Sequence, residues 1–156
     1  MKKRIYTVLI STIMVVLLQS CNNDDDTVSL PDLNNEISID GTIYSIAGPG
    51  ILQSYGENSD GSFDRDIEIF AEDLFVEFDL NTPSVTGVSE GTYTFSATRE
   101  AVTFFSVEID NNSDIFYSPQ LGTVVVSVNG DTTTVTFNLT AQDGTAIRGQ
   151  WNGTLQ

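Results

Sequence analysis

The chain of 156 residues has no histidine, no lysine beyond Lys3, and a single cysteine at Cys21. Each shortage closes a class of chemistry. Without histidine there is no imidazole to serve as a general base or metal ligand. One cysteine cannot form a disulfide within the chain or build a thiolate zinc site. Cations are equally scarce after Cys21: only Arg65, Arg99 and Arg148 face all 22 acidic residues. Such a surface cannot neutralise phosphates, which excludes nucleic acid as a partner. Anionic lipid headgroups repel it as well. No Gly-x-Ser-x-Gly elbow occurs, and no helical period opens after a glycine-rich phosphate loop. Acid-pair glycoside hydrolysis needs only two carboxylates at a set separation. With 22 available, no pair stands out, so the expected domain is non-catalytic.

High acidity with few hydrophobes would indicate disorder, but that is not the pattern here. Valine, isoleucine, leucine, threonine and nine phenylalanines fill the region after Glu36 in short, regular runs. One domain is expected over 36–156, preceded by a leader over 1–20 and a polar tether over 21–35. Lys2-Lys3-Arg4 is a basic start, and Ile5 to Leu18 is apolar but too short for a comfortable membrane span. Asn22-Asn23-Asp24-Asp25-Asp26 and Pro31 follow Cys21; a flexible tether of this kind reaches on the order of 20 Å.

Leu18-Gln19-Ser20-Cys21 resembles the lipobox cut by bacterial lipoprotein signal peptidase, with an aliphatic residue at −3, a small one at −1 and the cysteine itself. Gln19 at −2 is a tolerated variation. The resemblance implies diacylglycerol on the Cys21 sulfur and a further acyl chain, such as palmitate, on its amine. At about 0.8 kcal/mol per buried CH₂, such chains make membrane attachment effectively permanent. The acidic run after Cys21 is similar to the export signals of Bacteroidota-type surface lipoproteins, which implies the outer face of the outer membrane. A solvated spacer in a periplasm-facing protein is the alternative. Asp26-Thr27-Val28 also resembles the O-glycosylation pattern of that phylum.

From Glu36 onward the signal is period two broken by turn residues, which predicts an all-β domain. Strands are expected near 36–40, 42–47, 51–55, 63–71, 74–80, 91–97, 101–109, 114–118, 121–128, 132–141 and 145–155. The expected architecture is an antiparallel meander closing as a β-sandwich, with a short lipocalin-like or calycin-like barrel as the alternative. A type I′ turn at Asn129-Gly130 would set Val124 opposite Val135 and Val126 opposite Thr133. A three-residue loop, Gln142-Asp143-Gly144, would set Phe137 opposite Gly149 and Val135 opposite the core residue Trp151. This stretch, from Gly122 to Leu155, resembles the C-terminal hairpins of small Bacteroidota surface lipoproteins of unknown function, and Gly91-Thr92-Tyr93 resembles their penultimate region. The resemblance covers about a third of the chain and implies a fold class, not an activity.

Three candidate sites emerge. An even-numbered turn at Glu72-Asp73 pairs Phe70 with Phe75, Glu68 with Glu77, and Asp66 with Asp79. Four carboxylates then crowd one face beside an aromatic pair, and directly opposed like charges are destabilising. A calcium ion would offset them, and a glycan stacking on Phe70 and Phe75 could use the same face. Side chains fanned into water, or a register-shifting bulge, fit the sequence too. Asn58 to Asp64 echoes an EF-hand loop, but Gly56 and Ile67 fall where carboxylates belong, which makes it an ordinary polar turn. Arg65 shares parity with Ile67 and Ile69, so it points either to the core side or out at a strand end. Two functions compete with the non-catalytic, ligand-binding surface lipoprotein. A calycin-like carrier needs an internal pocket, and an acid-pair glycoside hydrolase needs a groove with exposed aromatics.

Overall fold

The computed structural model describes residues 32–156. The leader, Cys21 and the acidic run after it lie outside the described residues. Those described form eleven strands and no helix, so none of their helices is long and apolar enough to cross a membrane. The strands are β1 (Glu36–Ile39), β2 (Thr42–Ser45), β3 (Gly50–Glu57), β4 (Phe63–Phe70), β5 (Phe75–Thr82), β6 (Gly91–Phe95), β7 (Thr103–Asp110), β8 (Phe116–Tyr117), β9 (Leu121–Asn129), β10 (Thr132–Thr140) and β11 (Ala146–Gly153). Each coincides with one of the eleven expected segments to within a few residues. The end of the expected tether belongs to the domain: Leu33 is buried, and Asn35 accepts the Asn152 N–H through its side chain at 2.6 Å.

All eleven strands belong to one sheet, in the order β2-β1-β11-β10-β9-β6-β7-β5-β4-β3, with β8 added beside β7. The sheet curls into a half-barrel around one core. Its flanks meet where the chain end returns to the start of β3. There Gly50 N–H donates to Thr154 O at 3.0 Å, Gln156 N–H to Gly50 O at 2.9 Å, and Leu52 N–H to Gln156 O at 3.0 Å. The all-β expectation holds, but a strict antiparallel meander does not. β6 lies between β9 and β7, and its pairing with β7 is parallel through Thr94–Thr103 and Phe95–Phe104. β5 and β7, eight residues each, pair along nearly their whole run, whereas five-residue β6 pairs with β9 and keeps only its end for β7.

The C-terminal registers show how local chemistry sets the faces. Phe137 is opposite Gly149 and Val135 opposite Trp151, as the Asp143-Gly144 loop predicts; Gly144 takes the left-handed φ of 91°. The β9–β10 turn differs. Asn129 pairs with Thr132, so the turn residues are Gly130 and Asp131, and Val126 faces Val135 while Val124 faces Phe137. Gly130, with φ 61°, sits at the first central position, where a type II′ turn takes glycine. Moving the turn by one residue shifts every cross-strand partner by two, so the apolar faces still coincide.

Trp151, Tyr93, Phe78 and Phe104 are fully buried and fill the interior with the aliphatics of β1, β4, β5, β7, β9, β10 and β11. Gly149 makes room for this packing. A Cβ there would lie 2.3 Å from Phe137 Cζ and 2.9 Å from the Glu36 carbonyl oxygen, a backbone atom that cannot swing away. Gly149→Ala should therefore lower stability by about 1–3 kcal/mol in urea unfolding, and Phe137→Leu should recover part of the loss. An unchanged midpoint in Gly149→Ala would show that this wall yields freely.

Candidate functional site

The outer face of β3, β4, β5 and β7 collects the charge. β4 and β5 pair Phe70 with Phe75, Glu68 with Glu77, Asp66 with Asp79, and Asp64 with Asn81, which includes the three expected pairs. β7 adds Glu108 beside Glu77 and Asp110 beside Phe75. The four carboxylates do not act as one group. Asp66 and Asp79 join Asp64, their ligand oxygens all within 4.8 Å of one another. Glu68 and Glu77 stand further along the strands, and burial together with Glu108, Glu68 and Asp79 pushes Glu77 up from the usual carboxyl range.

Two bulges frame the aspartates. In β3 the register with β4 shifts between Ser54 and Gly56, which leaves Tyr55 as the extra residue. In β7 the register with β5 shifts between Asp79 and Leu80, partners of Ser106 and Phe104, so Phe105 is extra. Each bulge re-aims a ring that strict alternation would place elsewhere. Tyr55 is exposed, and the negative charge of Asp66 foremost, then burial and Glu68 and Glu77, holds its hydroxyl above the ordinary pKa. On the other flank Phe105 lies under a guanidinium, with its ring centroid 4.6 Å from Arg99 Cζ.

Arg99 arrives from the loop between β6 and β7. The loop ends at Val102, a β-branched residue held at φ 62° while its N–H donates to Asn81 O at 2.8 Å. Asp60 anchors the same loop, since its Oδ2 accepts the Ala101 N–H at 2.9 Å. Arg99 then grips Asp79 with both arms, Nη1 to Oδ1 and Nη2 to Oδ2, each at 2.7 Å. Its Nη1 also lies 2.7 Å from Asp64 Oδ1, an ionic contact out of hydrogen-bond alignment. Asp66 is left over. It is only 7% exposed, and its Oδ1 is buried without a hydrogen-bond partner. Burial first, then Asp79, Glu77 and Asp64, push its carboxyl up to about 7 against the pull of Arg99. Burial and Asp79 also raise Asp64, while the aspartates hold the Arg99 guanidinium more firmly charged.

Compared with protein-family models, curated proteins and solved structures, the chain matches none.

Phe70 and Phe75 belong to a different place, about 13 Å along β4 from Asp66 at roughly 3.3 Å per residue. Their rings pack at 5.0 Å and 41°, and Phe70 is 59% exposed. They line a cleft of about 460 Å³ with Tyr44, Glu72, Asp73 and Asn111. Its far wall, the loop between β7 and β8, is pre-formed: Asn111 Oδ1 accepts the N–H groups of Ser113, Asp114 and Ile115, each at 3.0 Å. Asn112 and Ser113 line a second cleft on that loop, and Phe116 joins it to a third reaching Gln142 and Asp143. The three clefts are neighbours that share these lining residues.

Asn58 to Asp64 is an ordinary turn. Its Asp60 accepts the Ser62 N–H and hydroxyl at 2.9 and 2.6 Å, and these bonds hold the carboxyl below its usual range. Arg65 does face inward and is buried, donating to the carbonyls of Asp64 and Val85 at 2.9 and 2.8 Å. It thus ties the strand to the following loop. Of the site residues, Asp64 and Arg99 escaped sequence reasoning. Asp64 shares the parity of Asp66, a usable signal; Arg99 sits in a loop where parity says nothing.

The Asp66 carboxyl makes stability depend on pH with a definite sign. An unfolded aspartate ionises near pH 4, about 3.9, whereas this one holds its proton to about pH 7 when folded. Between those values the folded state binds more protons, so stability falls as pH rises, by at most about 1.4 kcal/mol per pH unit. The raised Asp64 and Glu77 act in the same direction. In metal-free buffer the protein should be less stable to urea at pH 8 than at pH 5, and Asp66→Asn should narrow that gap. An equal gap in the variant would remove Asp66 from this role.

Proposed function

We infer that the protein is a lipid-anchored surface lipoprotein whose β-domain captures a sugar chain, without turning it over, in the groove beside Phe70. One observation carries this reading: an exposed phenylalanine stacked on a second ring inside a cleft walled by amides and carboxylates. A pyranose presents an apolar C–H face and a rim of hydroxyls. Phe70, Phe75 and Tyr44 suit the face, and Glu72, Asp73 and Asn111 suit the rim. The pre-formed loop lowers the ordering cost of binding. The adjacency of the three clefts favours an oligosaccharide over a single sugar.

The packing favours this over the carrier and the hydrolase. Fully buried Trp151, Tyr93, Phe78 and Phe104 fill the space a carried hydrophobic ligand would need. Trp151 and Tyr93 are likewise withheld from any hydrolase groove, and the cleft's own carboxylates, Glu72 and Asp73, are exposed at the turn, without the burial that sets up a general acid. Anchoring rests on Leu18-Gln19-Ser20-Cys21, and display on the acidic run after it.

A glycan array probed with detergent-solubilised full-length protein should give binders, and Phe70→Ala should weaken them at least tenfold with its melting temperature unchanged. No binder for the parent, or equal binding by Phe70→Ala, rejects the sugar groove. Separately, mass spectrometry of protein extracted from bacterial membranes should find Cys21 N-terminal and acylated. A free thiol or an intact leader would reject the anchor while leaving the groove standing.

A further inference from the structure

The aspartate cluster is a second site, independent of the sugar groove. Asp64, Asp66 and Asp79 bring carboxylate oxygens within 4.8 Å of one another. Oxygens on opposite sides of a calcium ion are separated by about 4.6–5.2 Å, twice the usual Ca–O distance. The spacing of the cluster therefore fits a single calcium coordination sphere once Arg99 gives way.

Proximity of acids alone would mean little on so acidic a surface. The distinguishing feature is Asp66, more than nine-tenths buried, with an oxygen that no hydrogen-bond donor reaches. Asp79 is held by both arms of Arg99 and Asp60 by Ser62 and Ala101, while Asp64 Oδ1 has the ionic contact with Arg99 but no hydrogen bond. A buried carboxylate without a partner is strongly disfavoured, and here two others adjoin it. The single guanidinium leaves two negative charges uncompensated once all three carboxyls ionise. One divalent cation balances them. Glu77 and Glu108 on the adjoining wall deepen the negative potential that draws a cation in. Oxygens are the only donors offered, which suits a hard cation and not a soft one.

We propose that Asp64, Asp66 and Asp79 form a calcium site on the outer wall of the half-barrel, with Arg99 as the built-in cation that holds the aspartates together when calcium is absent. Arg99 is accessible to solvent at its edge and is fixed by these carboxylates and the Phe105 ring, so it can yield when a stronger cation arrives. Calcium and Arg99 then compete for the same oxygens of Asp64 and Asp79. Removing Arg99 should tighten calcium binding, which a merely structural ion pair would not lead one to expect.

The test is calorimetric titration of detergent-solubilised full-length protein with calcium chloride at pH 8, after removal of metal with a chelator. The parent should bind one calcium ion, Arg99→Gln should bind it at least tenfold more tightly, and Asp66→Asn at least tenfold more weakly. Glu108→Gln, outside the cluster, should change affinity by less than threefold. Melting in chelator checks folding: Asp66→Asn removes an unpartnered buried charge and should melt no lower than the parent. If it does melt lower, Asp64→Asn takes its place in the titration. A parent that binds no calcium overturns the proposal. So does binding that Asp66→Asn or its replacement leaves unchanged, or that Arg99→Gln weakens. Because the Phe70→Ala variant leaves this site intact, loss of sugar binding and loss of calcium binding can be told apart.

Discussion

The indole of Trp151 closes the sheet, and the rest of the architecture depends on that closure. Its N–H donates to Gly48 O at 2.9 Å. The same ring lies so close to Gly50 and Gly153 that a Cβ at those positions would fall 3.1 and 2.5 Å from it. The ring thus occupies the seam where the chain end meets β3, with the two glycines as its walls. A buried indole needs a partner for its N–H, and Gly48, in the short link from β2 to β3, supplies it where the β3 flank comes round to the chain end. Hydrogen bonding across the seam and burial of the largest side chain are therefore satisfied by one motion. A flat sheet would expose both.

Curling has a consequence further along the wall that begins at the seam. A sheet that bends this far needs places where one strand gains a residue on its neighbour, and β3 and β7 each have one. The extra residues are Tyr55 and Phe105, and both flank the aspartates. The same irregularities that let the wall bend also turn two aromatic rings onto its outer face. Arg99 is held between this wall and a loop pinned by Asp60 and the strained Val102. The geometry of the site is thus inherited from the geometry of closure.

Much of this could be read in the residues. Alternation placed most strands, because one face of each is buried and a slip of one residue would turn that face to water; β2, β3 and β8 are largely exposed, and turn residues bounded them instead. The opposition of Phe70 to Phe75 and of Asp66 to Asp79 followed from parity alone. The β9–β10 turn misled because Asn129-Gly130 and Gly130-Asp131 are both good turn pairs, and both keep the valines inside. The parallel contact of β6 with β7 was invisible because β7 takes β5 on one edge and β6 on the other, a long-range arrangement that no local pattern records. Arg99 was hidden for a related reason: its loop is polar and aperiodic, and nothing local says that it crosses to β5.

The acidity of the chain acquires a different meaning once the fold is known. Spread over a surface, carboxylates are solvated and cheap to maintain; gathered at a bend, they are neither. Asp64, Asp66 and Asp79 are gathered because pleated strands place every second residue on one face and the pairing of β4 with β5 sets aspartates beside one another. With three arginines available after Cys21, and Arg65 committed to backbone carbonyls inside the wall, Arg99 is the cation that reaches them. It satisfies Asp79 fully and Asp64 in part, and its two arms cannot extend to the third. The orphaned Asp66 is the arithmetic result of too few cations meeting a fold that concentrates acids, and such a site must take up either a proton or a metal ion from its surroundings.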